Sequence, residues 1–272
     1  MFKNDAIKPI KRTKLRIFIG KQYYTLKRYI WWVFFNNKFA KKYSKHNLPH
    51  LYFSHKTPLI RQLKDVDMYL QYNKINNLKL AIKKLNKILI APGEIFSYWK
   101  LIGKPTYKKG YKDGMVLFYG KVGTGIGGGL CQLSNLIYWM TLHTPLTVVE
   151  RYRHSYDVFP DSNRTQPFGS GATCFYNYRD LIIKNNTSDT YELVLNITDE
   201  YLIGEWRVSS EPIYSYKVFE KEHRISHEFW GGYVRHNLLF REVYDKSNNV
   251  TEEFITENHA IMMYQPFLEC ND

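Results

Sequence analysis

GTGIGGGLCQLSNLIYWMTLHTPLTVVERY, residues 123–152, holds the change of period on which the fold reading turns. Inside it a glycine cluster gives way to one compact helix, Cys131 to Leu142, which stops ahead of Pro145. Beyond it, LTVVERY (146–152), ATCFYNY (172–178), LIIKN (181–185) and YELVLNIT (191–198) are rich in β-branched and aromatic residues and read as strands, and the stretch 214–244 alternates. Working back towards the N-terminus, MVLFYGKV (115–122) reads as a strand with a glycine turn, and APGEIFSYW (91–99) places a turn before a strand. Earlier still the period becomes helical. Leu63, Val66, Leu70, Leu78, Ile82 and Leu85 predict a helical segment over 59–89, a Pro-bounded stretch (48–58) separates it from the head, and the proline-free run 13–40 predicts one or two further helices. Helices first and then mostly strands joined by short turns give an α+β chain: N-terminal helices, then a mainly antiparallel sheet with a central helix starting at Cys131. Three regions follow: a basic, aromatic helical head (1–45), a helical segment packed on the core (46–90), and an α+β core (91–272) with a β-rich C-terminal part.

The 272 residues are 44% hydrophobic and 24% charged, a composition that excludes a disordered or fibrous chain. The longest apolar run, Ile30 to Phe35, is flanked by Lys27, Arg28 and Lys38 and falls far short of the roughly 18 uncharged residues that a membrane helix needs. The N-terminal charges continue without a cleavage site of small residues, so the expected compartment is the cytosol. Cys131, Cys174 and Cys270 have no CxxC spacing and indicate neither a disulfide framework nor a structural zinc site. The net charge of +14 is concentrated in residues 1–45, where thirteen Lys and Arg face Asp5 alone, a local +12. A basic head on a nearly neutral body argues against nucleic-acid binding and confines any attraction for anions to the head. With Tyr29, Trp31, Trp32, Phe34 and Phe35 beside the lysines, the head reads either as a helix packed on the domain or as an interfacial helix making peripheral contact with the inner, anionic face of a membrane.

Chemistry concentrates at the glycine cluster. The helical period puts Cys131, Ser134, Asn135 and Tyr138 on one face, and a thiol in the first turn of a helix meets free N–H groups and the positive end of the dipole, which favour thiolate. Downstream, His154 follows a strand and is accompanied by Asp157, Asp161 and Asp180. Cys131 as nucleophile, His154 as base, Asp180 or else Asp157 as the group that orients it, and Gln132 with the loop amides as oxyanion donors make a coherent thiol site for acyl or amide transfer. The chain order resembles that of papain-like and transglutaminase-like enzymes in arrangement only. The competing reading is a non-catalytic module. In it, Gly127, Gly128, Gly129, Ser134, Asn135, Arg164 and Gln166 hold an anionic or peptidoglycan-like ligand, and Tyr98, Trp99, Tyr176 and Tyr178 line the groove. The bland account makes Cys131 a small apolar plug and His154 a hydrogen-bonded loop residue. No cofactor is expected. Gly123, Gly125 and Gly128 satisfy GxGxxG, with Glu150 where a ribose-binding acid would sit, yet no second βαβ unit follows. His223, His227 and Glu228 fall on a predicted strand, where they do not make a metal site.

PGEIFSYWKLIGKPTYKKGYKDG (92–114), GIGGGLCQLSN (125–135), RYRHSYDVFPDSNRTQPFGSGAT (151–173) and YRDLIIKNNT (178–187) resemble successive blocks of the VanW family, over about residues 91–200. The flanks are similar to its compact members, which lack a membrane anchor and repeats. The resemblance implies an association with glycopeptide resistance or the cell envelope and carries no catalytic roles with it. One departure stands out: PFGSGAT (167–173) lacks the acidic residue that longer relatives carry in this block, which leaves Asp180 or Asp157 as the third member of any triad.

Overall fold

The computed structural model describes residues 8–10, 12–35, 37–60, 67–118, 120–158, 166–247 and 249–266. The head forms a single helix, α1 (Lys14–Phe34), opened by Thr13, whose hydroxyl accepts from the Arg16 N–H at 3.3 Å. None of its residues is fully buried. After β1 (Lys42–Tyr43) comes the first departure from the sequence reading, because His50–Pro58 is a strand, β2. It lies at a sheet edge, where Pro58 removes no ladder bond that the sheet needs, so the prolines bound a strand and not a linker. The next helix, α2 (Met68–Leu85), buries Leu70, Leu78, Ala81 and Leu85.

Short elements follow: β3 (Ile88–Ile90), β4 (Ile95–Ser97), α3 (Tyr98–Ile102) and the hairpin of β5 (Asp113–Phe118) with β6 (Lys121–Ile126). Central to the fold is α4 (Cys131–Leu142), bounded as its glycines and Pro145 predict. Then come β7 (Thr147–Glu150), β8 (Tyr156–Asp157), β9 (Ile182–Lys184), β10 (Tyr191–Ile197) and β11 (Tyr201–Val208). The chain ends in a meander of three long strands, β12 (Tyr214–His227), β13 (Tyr233–Asp245) and β14 (Val250–Met262).

An antiparallel sheet ordered β1-β3-β10-β11-β2 carries the main core. Against its β11–β2 side packs α4, whose Leu133, Leu136, Ile137 and Met140 are buried, and the Trp206 indole donates to Thr141 Oγ1 at 3.2 Å to fix the approach. A second sheet runs β12-β13-β14-β8, with β8 parallel to β14, and a third runs β4-β9-β7. The α+β class and the mainly antiparallel pairing agree with the sequence reading. Residues 172–178, expected as a strand, form no ladder. Their backbone bonds go elsewhere: the Ala172 N–H to Asn135 Oδ1 at 2.7 Å, the Thr173 N–H to the Tyr152 carbonyl at 2.8 Å, and the Phe175 N–H to the Arg179 carbonyl at 2.9 Å.

Candidate functional site

Cys131, Asp180 and the glycine turn lie around the start of α4, and His154 lines a cavity beside α1. The glycine turn is closed on itself. The N–H groups of Gly127, Gly128 and Gly129 donate to the carbonyls of Lys112, Gly125 and Met115, at 3.0 Å each. A Cβ on Gly128 would lie 2.2 Å from the Gly114 backbone, and Gly129 has φ +86° with Lys74 against it, so both glycines are required by close packing. From α2, the fully buried Asn77 clamps the turn, donating to the carbonyls of Gly128 (3.0 Å) and Lys112 (2.9 Å) and accepting from the Lys112 N–H (2.8 Å). Gln132 is spent on β2, donating to Thr57 Oγ1 at 3.0 Å and the Pro58 carbonyl at 2.8 Å.

The polar stripe of α4 faces its own chain. Ser134 Oγ donates to the Ala172 carbonyl at 2.7 Å, Asn135 accepts from the same residue, and the Cys131 thiol points at the Cys174 carbonyl, 3.8 Å away. Burial pushes the Cys131 thiol up, and the Cys174 carbonyl does not change the direction. Asp180 lies in the same buried cluster and accepts from Ser97 Oγ (2.6 Å) and from the N–H groups of Trp99 (3.0 Å) and Leu181 (2.9 Å). Burial still raises its carboxyl from about 3.8 to about 6. Its own N–H donates to Glu150, which is ion-paired with Arg28 of α1, and Tyr29 meets Tyr176 hydroxyl to hydroxyl at 2.5 Å. These contacts, with Trp32 against the core, seat the C-terminal half of α1.

Among the described residues no hydrogen bond joins His154 to Cys131 or Asp180, and the groups that act on it are Arg179 and Arg153. Burial and these two charges push it down to about 4, so the ring is neutral near pH 7. It opens on a cavity of about 640 Å³ between the N-terminal half of α1, the tip of the β5–β6 hairpin and the β8–β14 edge. Five cations line that cavity: Lys8, Arg12, Arg16, Lys21 and Arg179. Lys21 stands over the rings of Phe118 (5.6 Å) and Tyr178 (5.8 Å), and Arg179 over Tyr152 (5.6 Å). Sequence reasoning counted four of these charges in the head. It had no means of seeing that they converge on Arg179.

Asp157 is tied to the second sheet by Arg235 (3.5 Å) and the Tyr264 hydroxyl (2.9 Å). Gln166 meets His55 at 2.8 Å, while Asp161, Arg164 and Cys270 lie outside the described residues. Of the expected groove aromatics, Tyr98 and Trp99 are buried and only Tyr178 lines the cavity. Arg151, not singled out from sequence, clamps the 169–171 loop to β14 through the Gly171 carbonyl (2.8 Å) and Asn258 (3.0 Å). The GxGxxG spacing falls on an antiparallel hairpin strand and not on a parallel βαβ crossover. His223 accepts from Arg235 at 2.9 Å, and His227 packs on Tyr233. Among the described residues no helix is long and apolar enough to cross a membrane.

Fold and sequence blocks together define a VanW-like α+β protein. A family model described as "VanW like protein" matches residues 73–207, and the chain belongs to the VanW family, which is linked to vancomycin resistance. It is 39% identical over 180 residues to the vancomycin B-type resistance protein VanW of Enterococcus faecalis, a match covering 66% of each protein. It is also 32% identical over 83 residues to the uncharacterized protein YoaR of Bacillus subtilis, covering 30% of this chain and 27% of that one. The matched stretch thus spans a little under two thirds of the enterococcal relative and about a quarter of the Bacillus one. No solved structure matches the chain.

Proposed function

We propose that this chain is a binding protein of the glycopeptide-resistance and cell-envelope setting that works at the cytoplasmic face of an anionic membrane and holds an anionic, peptidoglycan-like ligand without transforming it. The observation that carries the reading is the outer face of α1. Leu15, Ile19, Leu26, Ile30 and Val33 form one stripe at helical spacing, and Leu15, Leu26 and Val33 are 68%, 60% and 72% exposed in the most basic segment of the chain. An apolar stripe flanked by lysines and arginines is the composition that settles into an anionic headgroup layer, where each engaged charge contributes about 1 kcal/mol. Flotation of the intact chain with phosphatidylglycerol vesicles tests this. The expected result is binding that weakens with salt, is absent with phosphatidylcholine alone, and is lost in the double variant Leu26→Glu, Val33→Glu. Equal flotation with neutral and anionic lipid, or none with either, refutes it.

A second reading keeps the thiol chemistry: Cys131 as nucleophile for acyl or amide transfer, His154 as base, and Asp180 or Asp157 to orient it. It is favoured by the gathering of Cys131 and Asp180 in one cluster at the start of α4. Against it stand the raised thiol and, among the described residues, the lack of a hydrogen bond between His154 and Cys131. Complementation with Cys131→Ser separates the two. Binding survives the exchange, and thiol catalysis does not.

A further inference from the structure

The cation-lined cavity beneath α1 is not explained by membrane contact, because it lies on the helix's inner side. We propose that it is a binding site for a diphosphate group carried by a small molecule. This deepens the binding reading by naming the ligand chemistry.

The cations come from separate stretches of chain. Lys8 and Arg12 precede α1, Arg16 and Lys21 lie on it, and Arg179 sits in the turn after Cys174. Among the described residues the cavity wall holds no aspartate or glutamate, and no ion pair reaches any of the five. Four other arginines are matched by acids: Arg28 by Glu150, Arg207 by Glu205, Arg235 by Asp157 and Arg241 by Glu253. Like charges gathered around one concavity repel one another, and a counter-anion relieves the repulsion. His154 on the same wall is pushed down by burial first and by Arg179 and Arg153 after it.

The number and type of the charges select the anion. One carboxylate answers one of five cations, whereas a diphosphate brings several negative oxygens, and three guanidinium groups offer planar donor forks that match them. The rings beside Lys21 and Arg179 offer those cations their faces. A volume of about 640 Å³ also accommodates an organic moiety attached to the diphosphate.

Titration calorimetry of the full chain with inorganic pyrophosphate is the test, with orthophosphate and acetate as comparisons. Pyrophosphate is expected to bind at least about tenfold more tightly than either. Arg16→Gln and Arg179→Gln should each weaken it about tenfold, and Lys27→Gln, the same charge change on α1 outside the cavity wall, should leave it within about twofold. Arg16 is exposed, so its variant leaves the core untouched. Pyrophosphate that fails to bind at about millimolar concentration, or a Lys27→Gln chain weakened as much as Arg16→Gln, overturns the proposal. Addition of pyrophosphate to vesicle-bound chain separates the two sources of the group. Displacement identifies a lipid headgroup as the native ligand, and simultaneous binding identifies a soluble diphosphate. Loss of the pyrophosphate site with flotation intact would sink this proposal alone and leave the membrane reading standing.

Discussion

Replacing Asp180 by asparagine probes the buried cluster beneath the glycine turn most directly. Burial lifts the carboxyl from about 3.8 to about 6, net of the hydrogen bonds from Ser97 and Trp99 that pull it down. A folded-state value above the unfolded one means that the folded chain holds the proton more tightly, so this group's contribution to stability is complete below pH 3.8 and is lost as pH rises through 6. At 1.36 kcal/mol per pH unit the whole loss is about 3 kcal/mol, of which about 1.4 kcal/mol develops between pH 5 and 8. Asparagine is isosteric and does not ionise. Its Oδ1 keeps the N–H groups of Trp99 and Leu181, and its Nδ2 meets a Ser97 hydroxyl that turns to accept. Urea unfolding of both proteins at several pH values between 5 and 8 reads the difference, and every other titrating group cancels in it. The stability of Asp180→Asn minus that of the parent should grow by about 1.4 kcal/mol across this range. A flat difference, or one that shrinks as pH rises, would mean that Arg28 stabilises the ionised carboxylate more than burial penalises it.

Three further outcomes follow from the same geometry. Iodoacetamide labelling of the native chain, resolved by peptide mapping, should show Cys131 reacting with an apparent pKa above the free value of about 8.5, whereas a value below it would restore an activated thiol. Gly128→Ala, whose Cβ meets the Gly114 backbone at 2.2 Å, should cost about 3 kcal/mol or abolish soluble expression, while Gly123→Ala, with its nearest neighbour 4.0 Å away, should be tolerated in the same thermal assay; similar melting of the two would refute the packing account. His143 and His154 are both held near 4, so the unfolded chain takes up protons before the folded one does, and stability should fall as pH drops from 6.5 towards 4. His143→Gln should remove part of that fall in acid titrations followed by tryptophan fluorescence, and an unchanged slope would show that this histidine is not held neutral.

What could be read from the sequence is what local chemistry decides. The start and end of α4 follow from the glycine cluster and Pro145, β10 is found to within a residue, and the strand with a glycine turn read over 115–122 spans the turn of the β5–β6 hairpin, whose second strand runs on into the glycine cluster. β2 was obscured by its bounding prolines, which an edge strand accommodates and a linker resembles. Residues 172–178 have the composition of a strand, yet their partners are the Asn135 side chain and isolated carbonyls, and a pattern of period two carries no trace of that. The same limit applies to the thiol. Its place at the head of a helix predicts a lowered pKa, but burial, which the packing of distant segments decides, reverses the sign.

The division of labour between family blocks and flank follows from where each spends its polar groups. Ser134, Asn135, Gln132, Asn77 and Arg151 all lie within the matched residues 73–207; the first four fasten α4 and the glycine turn to neighbouring chain, and Arg151 fastens the 169–171 loop to β14. A polar side chain satisfied by backbone contributes to the fold whatever else it does. The cavity wall is assembled differently. Arg179 and His154 come from the matched core, but Lys8, Arg12, Arg16, Lys21 and His259 come from outside it. α1 is seated by Arg28, Tyr29 and Trp32 at its C-terminal half, which holds the cation-bearing N-terminal half over the core without burying it. The cavity wall therefore joins one face from the residues that the family model matches to a helix whose charges lie outside that match.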